Sequence, residues 1–274
     1  MPAKRTSGHI VQDEGTSLGQ AAFLDFVGSG VSVATASGKT TVTIAGGSGT
    51  PLDGWVDDTA ATWTRTADQT FTVTGDRTAV FQKGTRLKWT QTTVKYGVVI
   101  SSSHAAGTTT VTIATTTDYV LTAAAISANY YSYMASPEGY PNYFNFTPGW
   151  TSDGTPPAIV NGTLEGKFSM IGATVHAWVE ITMGSSTTFG TGNYSVPLPI
   201  PRLAASPAFA SGQVSGYSDL SGGFTVQGAW RGDGFLNYFL VNVNIVRQGL
   251  VTPTAPFTWQ TTDIISLSSV YEAA

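Results

Sequence analysis

The chain has 274 residues, of which only 11% are charged, and its formal net charge is -4. A chain so poor in cations lacks the basic stripe that nucleic acid or an anionic membrane selects, so neither is expected as a partner. Cysteine is absent, which excludes disulfides, thiolate zinc sites and cysteine nucleophiles, and no apolar run approaches the roughly 20 residues that span a bilayer.

The first predicted unit comprises residues 1–50. Within it, residues 31–44 alternate apolar and small polar side chains on either side of Ser37 and Gly38, a pattern that predicts a β-hairpin. A lone two-stranded hairpin is marginal in water, so this unit should need a partner surface. Residues 45–51, AGGSGTP, have the composition of a flexible linker and place a boundary there.

The second predicted unit, residues 51–135, is a small β-barrel or sandwich. Short segments of strand-like composition recur about every ten residues and are separated by glycine-containing turns. The predicted strands are residues 69–74, 78–81, 85–91, 95–101, 108–113 and 118–121. Leu87 and Trp89 share one face and are expected in the core, whereas Arg86 and Lys88 are expected outside.

Residues 136–157 are crowded with aromatic side chains and broken by prolines, and we predict an ordered connector there. Its rings are expected to pack between domains or between subunits, because large aromatic side chains are costly to leave in water. Tyr140, Tyr143 and Trp150 are therefore candidates for contact with a ligand or a neighbouring subunit.

Residues 158–274 are predicted to form an antiparallel, jelly-roll-like β-sandwich. The clearest strand spans residues 174–182, where Val175, Ala177, Val179 and Ile181 alternate with polar residues, the period of a half-buried strand. Further strands are predicted at residues 163–169, 193–196, 209–216, 224–230, 235–245 and 262–268. Seven or eight such strands are enough for two packed sheets.

His176, Trp178 and Glu180 share the face opposite this apolar stripe. Positions four apart on a strand lie about 13 Å apart, which exceeds the carboxylate spacing used for glycoside cleavage. Phosphate-binding, dinucleotide-binding and hydrolase motifs are also absent from the sequence, so we expect no enzyme, no cofactor and no metal site within one chain. Two uses of the face stay open: contact with a neighbouring subunit or second sheet, and stacking of a sugar on Trp178.

Three stretches resemble modules of tailed-bacteriophage virion proteins. NGTLEGKFSMIG, the apolar strand after it and GSSTTFGTG (residues 161–192) resemble a β-module near the C-termini of tail-fibre, minor tail and receptor-binding proteins. QDEGTSLGQAAFLDFVGSGVSVATASGKTTVTI (residues 12–44) is similar to a segment often repeated in phage fibre and tail proteins. GTRLKWTQTTVKYGVVISSSHAAGTTTVTI (residues 84–113) is similar to another phage tail module.

This resemblance implies a structural virion protein, a tail fibre or minor tail protein involved in host receptor binding. The alternative is a capsid decoration or head-fibre protein, or a purely structural tail component. The resemblance also implies a homotrimer, attachment to other tail or capsid proteins through residues 1–45, and assembly in the host bacterial cytoplasm without membrane insertion. Because the surface is rich in Tyr, Trp, Thr and Ser, a host cell-envelope saccharide is the favoured ligand.

Overall fold

The computed structural model describes residues 12–13, 16–17, 31–36, 39–44, 53–114, 116–203, 214–219, 224–231, 235–242 and 245–274. Each regular element in these ranges is a β-strand, so the predicted all-β class is confirmed. The ranges contain no helix with the length and apolar character needed to cross a membrane. The chain divides into two compact units, Met1–Gly49 and Thr50–Ala274.

The first unit contains two short antiparallel pairs. Strand β1 (Gln12–Asp13) pairs with β2 (Thr16–Ser17), and β3 (Val31–Ala36) pairs with β4 (Lys39–Ile44). The second pair is the predicted hairpin, with Val33 opposite Val42. The strands thus form where β-branched residues alternate with small polar ones.

The second unit begins with a seven-stranded antiparallel sheet in the order β5-β11-β8-β9-β10-β7-β6. Its strands are β5 (Val56–Asp57), β6 (Thr64–Ala67), β7 (Thr70–Thr74), β8 (Arg86–Gln91), β9 (Thr93–Ala105), β10 (Thr108–Ile113) and β11 (Ser127–Ser132). If the sheet were flat, its two edge strands would lie roughly 29 Å apart. Residues 58–63 join those edges and span at most roughly 24 Å, so the sheet must curl into an open barrel.

Stacked aromatic rings fill the inside of this curled sheet. Trp63 and Phe71 stack with their centroids 4.5 Å apart, and Phe81 meets both rings edge-on. Burial of each ring stabilises the fold by about 3 kcal/mol. The Trp63 indole donates a 2.8 Å hydrogen bond to Asp58, which also forms a 2.6 Å ion pair with Arg77. The polar atoms at the end of the core are therefore paired.

The rest of the second unit is an eight-stranded antiparallel sheet in the order β12-β14-β15-β21-β17-β18-β19-β20, together with the pair β13-β16. The strands are β12 (Phe144–Phe146), β13 (Thr151–Ser152), β14 (Thr163–Ile171), β15 (Thr174–Thr182), β16 (Tyr194–Ser195), β17 (Val214–Asp219), β18 (Phe224–Trp230), β19 (Leu236–Asn242), β20 (Ile245–Leu250) and β21 (Ile264–Glu272).

This sheet also curls, because a small second sheet links its opposite edges. Strand β13 follows the edge strand β12 after only residues 147–150, and it pairs with β16. The amide of Tyr194 in β16 donates a 2.7 Å hydrogen bond to Val251, immediately after the other edge strand β20. The predicted sandwich is thus built from one curled sheet closed over its core by a two-stranded sheet.

The expectation that Arg86 lies outside is wrong, because the outer face of β8 and β9 is covered by the rest of the second unit. Arg86 is only 4% exposed and donates hydrogen bonds to the carbonyl oxygens of Gly84 and Met170. Val98 belongs to the core of the eight-stranded sheet, whereas its neighbour Val99 belongs to the core of the seven-stranded one. Both faces of β9 are therefore buried in its middle, at residues 97–99.

Lys88, the other residue expected outside, is half-buried rather than freely solvated. Its ammonium group lies 4.6 Å from the ring centroid of Trp55 and 4.5 Å from that of Tyr130. Burial lowers the pKa of this ammonium, against a weaker opposing effect of Asp53 and Glu138. The aliphatic stem and the charge are both used in packing.

Two predicted strands of the seven-stranded sheet are not strands. In residues 78–81 the Asp76 carboxylate accepts hydrogen bonds from the amide and hydroxyl of Thr78, and the amide of Phe81 donates to Arg77, which makes a turn. In residues 118–121 the backbone is irregular. Local side-chain hydrogen bonds outcompete the strand pattern in the first case.

Other predicted boundaries need adjustment. The segment 136–157 supplies strands β12 and β13, and the segment 235–245 contributes to both β19 and β20. Of the predicted strand at 209–216, residues 209–213 lie outside the described residues, and β17 begins at Val214. Strands β1, β2, β5, β6 and β11 were not predicted, and of β20 only its first residue was. Strands β1, β2 and β5 have two residues each, too few to show alternation.

A contact between two glycine turns joins the sheets and can be tested with a matched pair of variants. Gly84 has φ +86°, and a Cβ there would lie 2.5 Å from the carbonyl oxygen of Gly172. Gly75 has nearly the same conformation, φ +83°, and a Cβ there meets nothing within 4 Å.

Gly75→Ala should therefore lower the free energy of unfolding, measured in urea, by about 1–2 kcal/mol from backbone strain alone. Gly84→Ala should lose about 1–3 kcal/mol more, and equal losses would show that the turns do not need close approach.

Candidate functional site

The outward face of the eight-stranded sheet carries the predicted polar residues. In β15, Val175, Val179 and Ile181 are fully buried and Ala177 is 4% exposed, which confirms the predicted apolar stripe. On the opposite face His176 is exposed and Trp178 is half-buried. The described part of the chain therefore leaves this face open and does not cover it with a second sheet.

Strand register decides which side chains meet on this face. Trp178 in β15 lies opposite Lys167 in β14, and Lys167 lies opposite Asn145 in β12. In the next row His176 lies opposite Ser169. Residues facing one another across antiparallel strands have Cβ atoms about 5 Å apart, so each row forms one continuous strip of surface.

These two rows line a groove of about 320 Å³, the aromatic groove. It is lined by Tyr143, Lys167, Phe168, Ser169, His176, Ala177 and Trp178. Tyr143 is 51% exposed, so its ring forms an accessible wall. A second groove of about 430 Å³, the edge groove, continues past Tyr143 and Lys167 along the edge strand β12, where Asn145, Thr147 and Glu165 add polar groups.

Lys167 organises the aromatic groove. Its ammonium group lies 5.1 Å from the ring centroid of Tyr143 and 5.4 Å from that of Trp178, within cation–π range of both. None of the ion pairs formed by the described residues involves Lys167. The ammonium group thus lies near both rings and adds one positive charge to the groove.

The chemistry available here is that of binding. Two aromatic rings, an imidazole, an ammonium group and the hydroxyl of Ser169 converge on an open surface. Such a set can stack a flat apolar face and hydrogen-bond the polar groups around it. Glu180 lies on the same outward face but opposite Glu165, one row away from Trp178, and so lies outside the aromatic groove.

Tyr140 and Trp150, also predicted as contact residues, lie elsewhere. The Tyr140 hydroxyl donates a 3.2 Å hydrogen bond to the Gly97 carbonyl between the two sheets, and burial raises the pKa of its phenol above the ordinary value. Trp150 is 7% exposed and packs edge-on against Tyr194, 5.1 Å away. Trp150 belongs to the core of the eight-stranded sheet, and the Tyr140 ring packs against that core.

The structure therefore brings together His176, Trp178 and Tyr143, and adds Lys167 and Ser169, which the sequence analysis missed. The alternation of β14 could have shown that Lys167 and Ser169 share a face. Only the pairing of β14 with β15 shows that this face is the one that carries Trp178.

No group of three or more His, Asp or Glu side chains in the described ranges is arranged to hold a metal ion. No protein-family model, curated protein or solved structure matches the chain.

The two faces of β15 should respond differently to substitution. Val179→Asp places an unpaired charge in the core and should cost more than about 4 kcal/mol, enough to unfold the eight-stranded sheet. Trp178→Ala removes a half-buried ring from the outward face and should cost at most about 1 kcal/mol. Thermal melts followed by circular dichroism measure both changes. Comparable losses in the two variants would show that the outward face is also part of the core.

Proposed function

We propose that the chain is a non-enzymatic structural virion protein of a tailed bacteriophage, of the tail-fibre or minor tail type, and that it takes part in host receptor binding. The three stretches that resemble phage virion modules support the class of particle. The all-β architecture suits a protein that must keep its shape outside the cell. The observation that carries the binding role is the aromatic groove on an open sheet face.

The ligand class that fits this groove best is a cell-envelope saccharide. The apolar face of a sugar ring stacks on an aromatic side chain, and its hydroxyls take hydrogen bonds from neutral and charged groups around it. Trp178 and Tyr143 supply the rings, and Ser169, His176 and Lys167 supply the polar groups. The aromatic groove and the edge groove together offer room for more than one sugar unit along β12.

A decoration or purely structural role is the second candidate, and one observation favours it. Ile171 is 57% exposed and Val270 is 37% exposed, and both lie on the same outward face as His176. Exposed apolar side chains near one another are typical of surfaces that a neighbouring subunit covers. In that case the aromatic groove would be filled by protein in the assembled particle.

The N-terminal unit is proposed to attach the chain to other tail or capsid proteins through residues 1–45, and the chain to be a homotrimer. The hairpin β3-β4 has only two strands, too few for independent stability in water. Size-exclusion chromatography with light scattering should therefore give three times the chain mass of 28.6 kDa. A monodisperse monomer with a cooperative thermal melt would contradict the trimer.

Receptor binding is tested by competition. Purified full-length chain should reduce adsorption of the parent phage to host cells, and it should bind saccharide prepared from the host envelope. Trp178→Ala should weaken both effects at least about tenfold, because stacking of one ring contributes about 1.4 kcal/mol or more. Trp178→Phe keeps a stacking ring and should keep most of the activity.

A fragment that begins at Leu52 separates attachment from binding. It contains the described part of the second compact unit and should compete for adsorption, but it should not be incorporated into virions. If the folded full-length chain binds neither cells nor envelope saccharide, the structural or decoration role replaces receptor binding. If virions incorporate the fragment normally, residues 1–45 are not the attachment site.

A further inference from the structure

A third cavity, chemically different from the two grooves, lies where the two large sheets meet. The Lys83-Gly84 turn before β8 packs against the Gly172 turn between β14 and β15, and a hollow of about 190 Å³, the junction hollow, opens between them. Lys83, Arg86, Thr85 and Tyr133 are among its lining residues. It shares no lining residue with the aromatic groove.

The junction hollow is positively charged. Two cationic side chains, Lys83 and Arg86, line it, and none of its lining residues is acidic. This is unusual for a chain with 13 Lys and Arg residues, 17 acidic residues and a net charge of -4. Neither of the ion pairs in the described ranges involves Lys83 or Arg86.

Arg86 is the less usual of the two cations, because it is 96% buried and its charge meets no carboxylate among the described residues. Its terminal nitrogens donate to the carbonyls of Gly84 and Met170, and its guanidinium carbon lies 5.8 Å from the ring centroid of Tyr140. Its Nε is buried without a hydrogen-bond partner among the described residues. A guanidinium keeps its charge under all ordinary conditions, so neutral carbonyls and an aromatic ring compensate for its lost hydration only in part.

Lys83 completes the pattern. Its ammonium group donates to main-chain oxygens of Ala273 and Ala274 and has a third N–H left over. A guanidinium fork and an ammonium group on the walls of one small hollow match the oxygens of a tetrahedral oxyanion, which takes charge-assisted hydrogen bonds from both.

We propose that the junction hollow binds a small phosphate group, either free phosphate or a phosphate ester, between Lys83 and Arg86. The hollow is the smallest of the three cavities described, so it suits a compact anion better than an oligosaccharide. Because Arg86 bridges carbonyls from both sheets, a bound phosphate stabilises the junction between them. Binding to the folded state alone then raises the melting temperature in proportion to the logarithm of ligand concentration.

Inorganic phosphate, titrated into the full-length chain at constant ionic strength, is the direct probe. We expect saturable binding in calorimetry with a dissociation constant below about 1 mM, and a rise in melting temperature that chloride does not produce. Glycerol 3-phosphate distinguishes a phosphate ester from the free ion: tighter binding than inorganic phosphate assigns an ester as ligand, and weaker binding assigns free phosphate. Acetate should bind at least about tenfold more weakly, because it offers fewer oxygens to the two cations.

Two matched variants remove the same charge at different places. Lys83→Gln should weaken phosphate binding at least about tenfold, whereas Lys167→Gln in the aromatic groove should leave it unchanged. Phosphate also stabilises proteins generally by exclusion from their surfaces, and that effect is equal in both variants. An equal rise in melting temperature for the wild type and both variants, without saturable heat, would overturn the site.

The outcome is independent of receptor binding. Loss of phosphate binding in Lys83→Gln with normal adsorption would establish the site and leave the proposed function as it stands. Tight binding of acetate, equal to that of phosphate, would overturn phosphate as the ligand and assign the hollow to a carboxylate.

Discussion

The second unit depends on the burial of both faces in the middle of one long strand, residues 95–100 of β9. There the inner face packs into the curled seven-stranded sheet through Val99, and the outer face packs onto the other sheet through Val98. Because both of these side chains are fully buried, the two sheets cannot separate without exposing apolar surface. Exposing a side chain of this size costs about 1.5–3 kcal/mol.

A close approach of two backbone turns, at Gly84 and Gly172, also holds the two sheets together. The Gly84 and Gly172 turns touch backbone to backbone, and the buried guanidinium of Arg86 ties the turn of one sheet to a carbonyl of the other. This arrangement joins the sheets firmly, but among the described residues Arg86 has no carboxylate partner. The same packing that makes the unit compact therefore creates the electropositive junction hollow.

The outward face of the eight-stranded sheet is exposed and carries the residues of the aromatic groove. Its hydrogen-bonded rows bring an ammonium group between two rings. Trp178, Lys167 and Ser169 lie on the paired strands β14 and β15, and Tyr143 lies in the bend just before β12. A site built on strands holds its shape better than one built on loops, and the curled sheet keeps the opposite face of β15 packed. The aromatic groove is thus an open surface on strands whose opposite face is buried in the core.

The sequence by itself determined the local features. Alternation of apolar and polar residues in β15 settled which of its side chains are buried. Gly75, Gly84 and Gly107 marked the turns after β7, before β8 and between β9 and β10, because strand period and turn chemistry are properties of neighbouring residues. The sequence also placed His176 and Trp178 on one face of β15, and it named Tyr143 separately as a candidate contact residue.

Only the tertiary structure decided the rest. Arg86 follows the alternation of an exposed residue, yet it is buried because a second sheet covers that face. Residues 78–81 have strand-forming composition, yet they form a turn, because the amide and the hydroxyl of Thr78 donate hydrogen bonds to the Asp76 carboxylate. Lys167 joined the aromatic groove only through the register of β14 on β15, since a shift of one residue would have turned it to the core. Covering of a strand face by another sheet and the register of paired strands both depend on residues distant in the chain. The local alternation of apolar and polar residues therefore predicts neither.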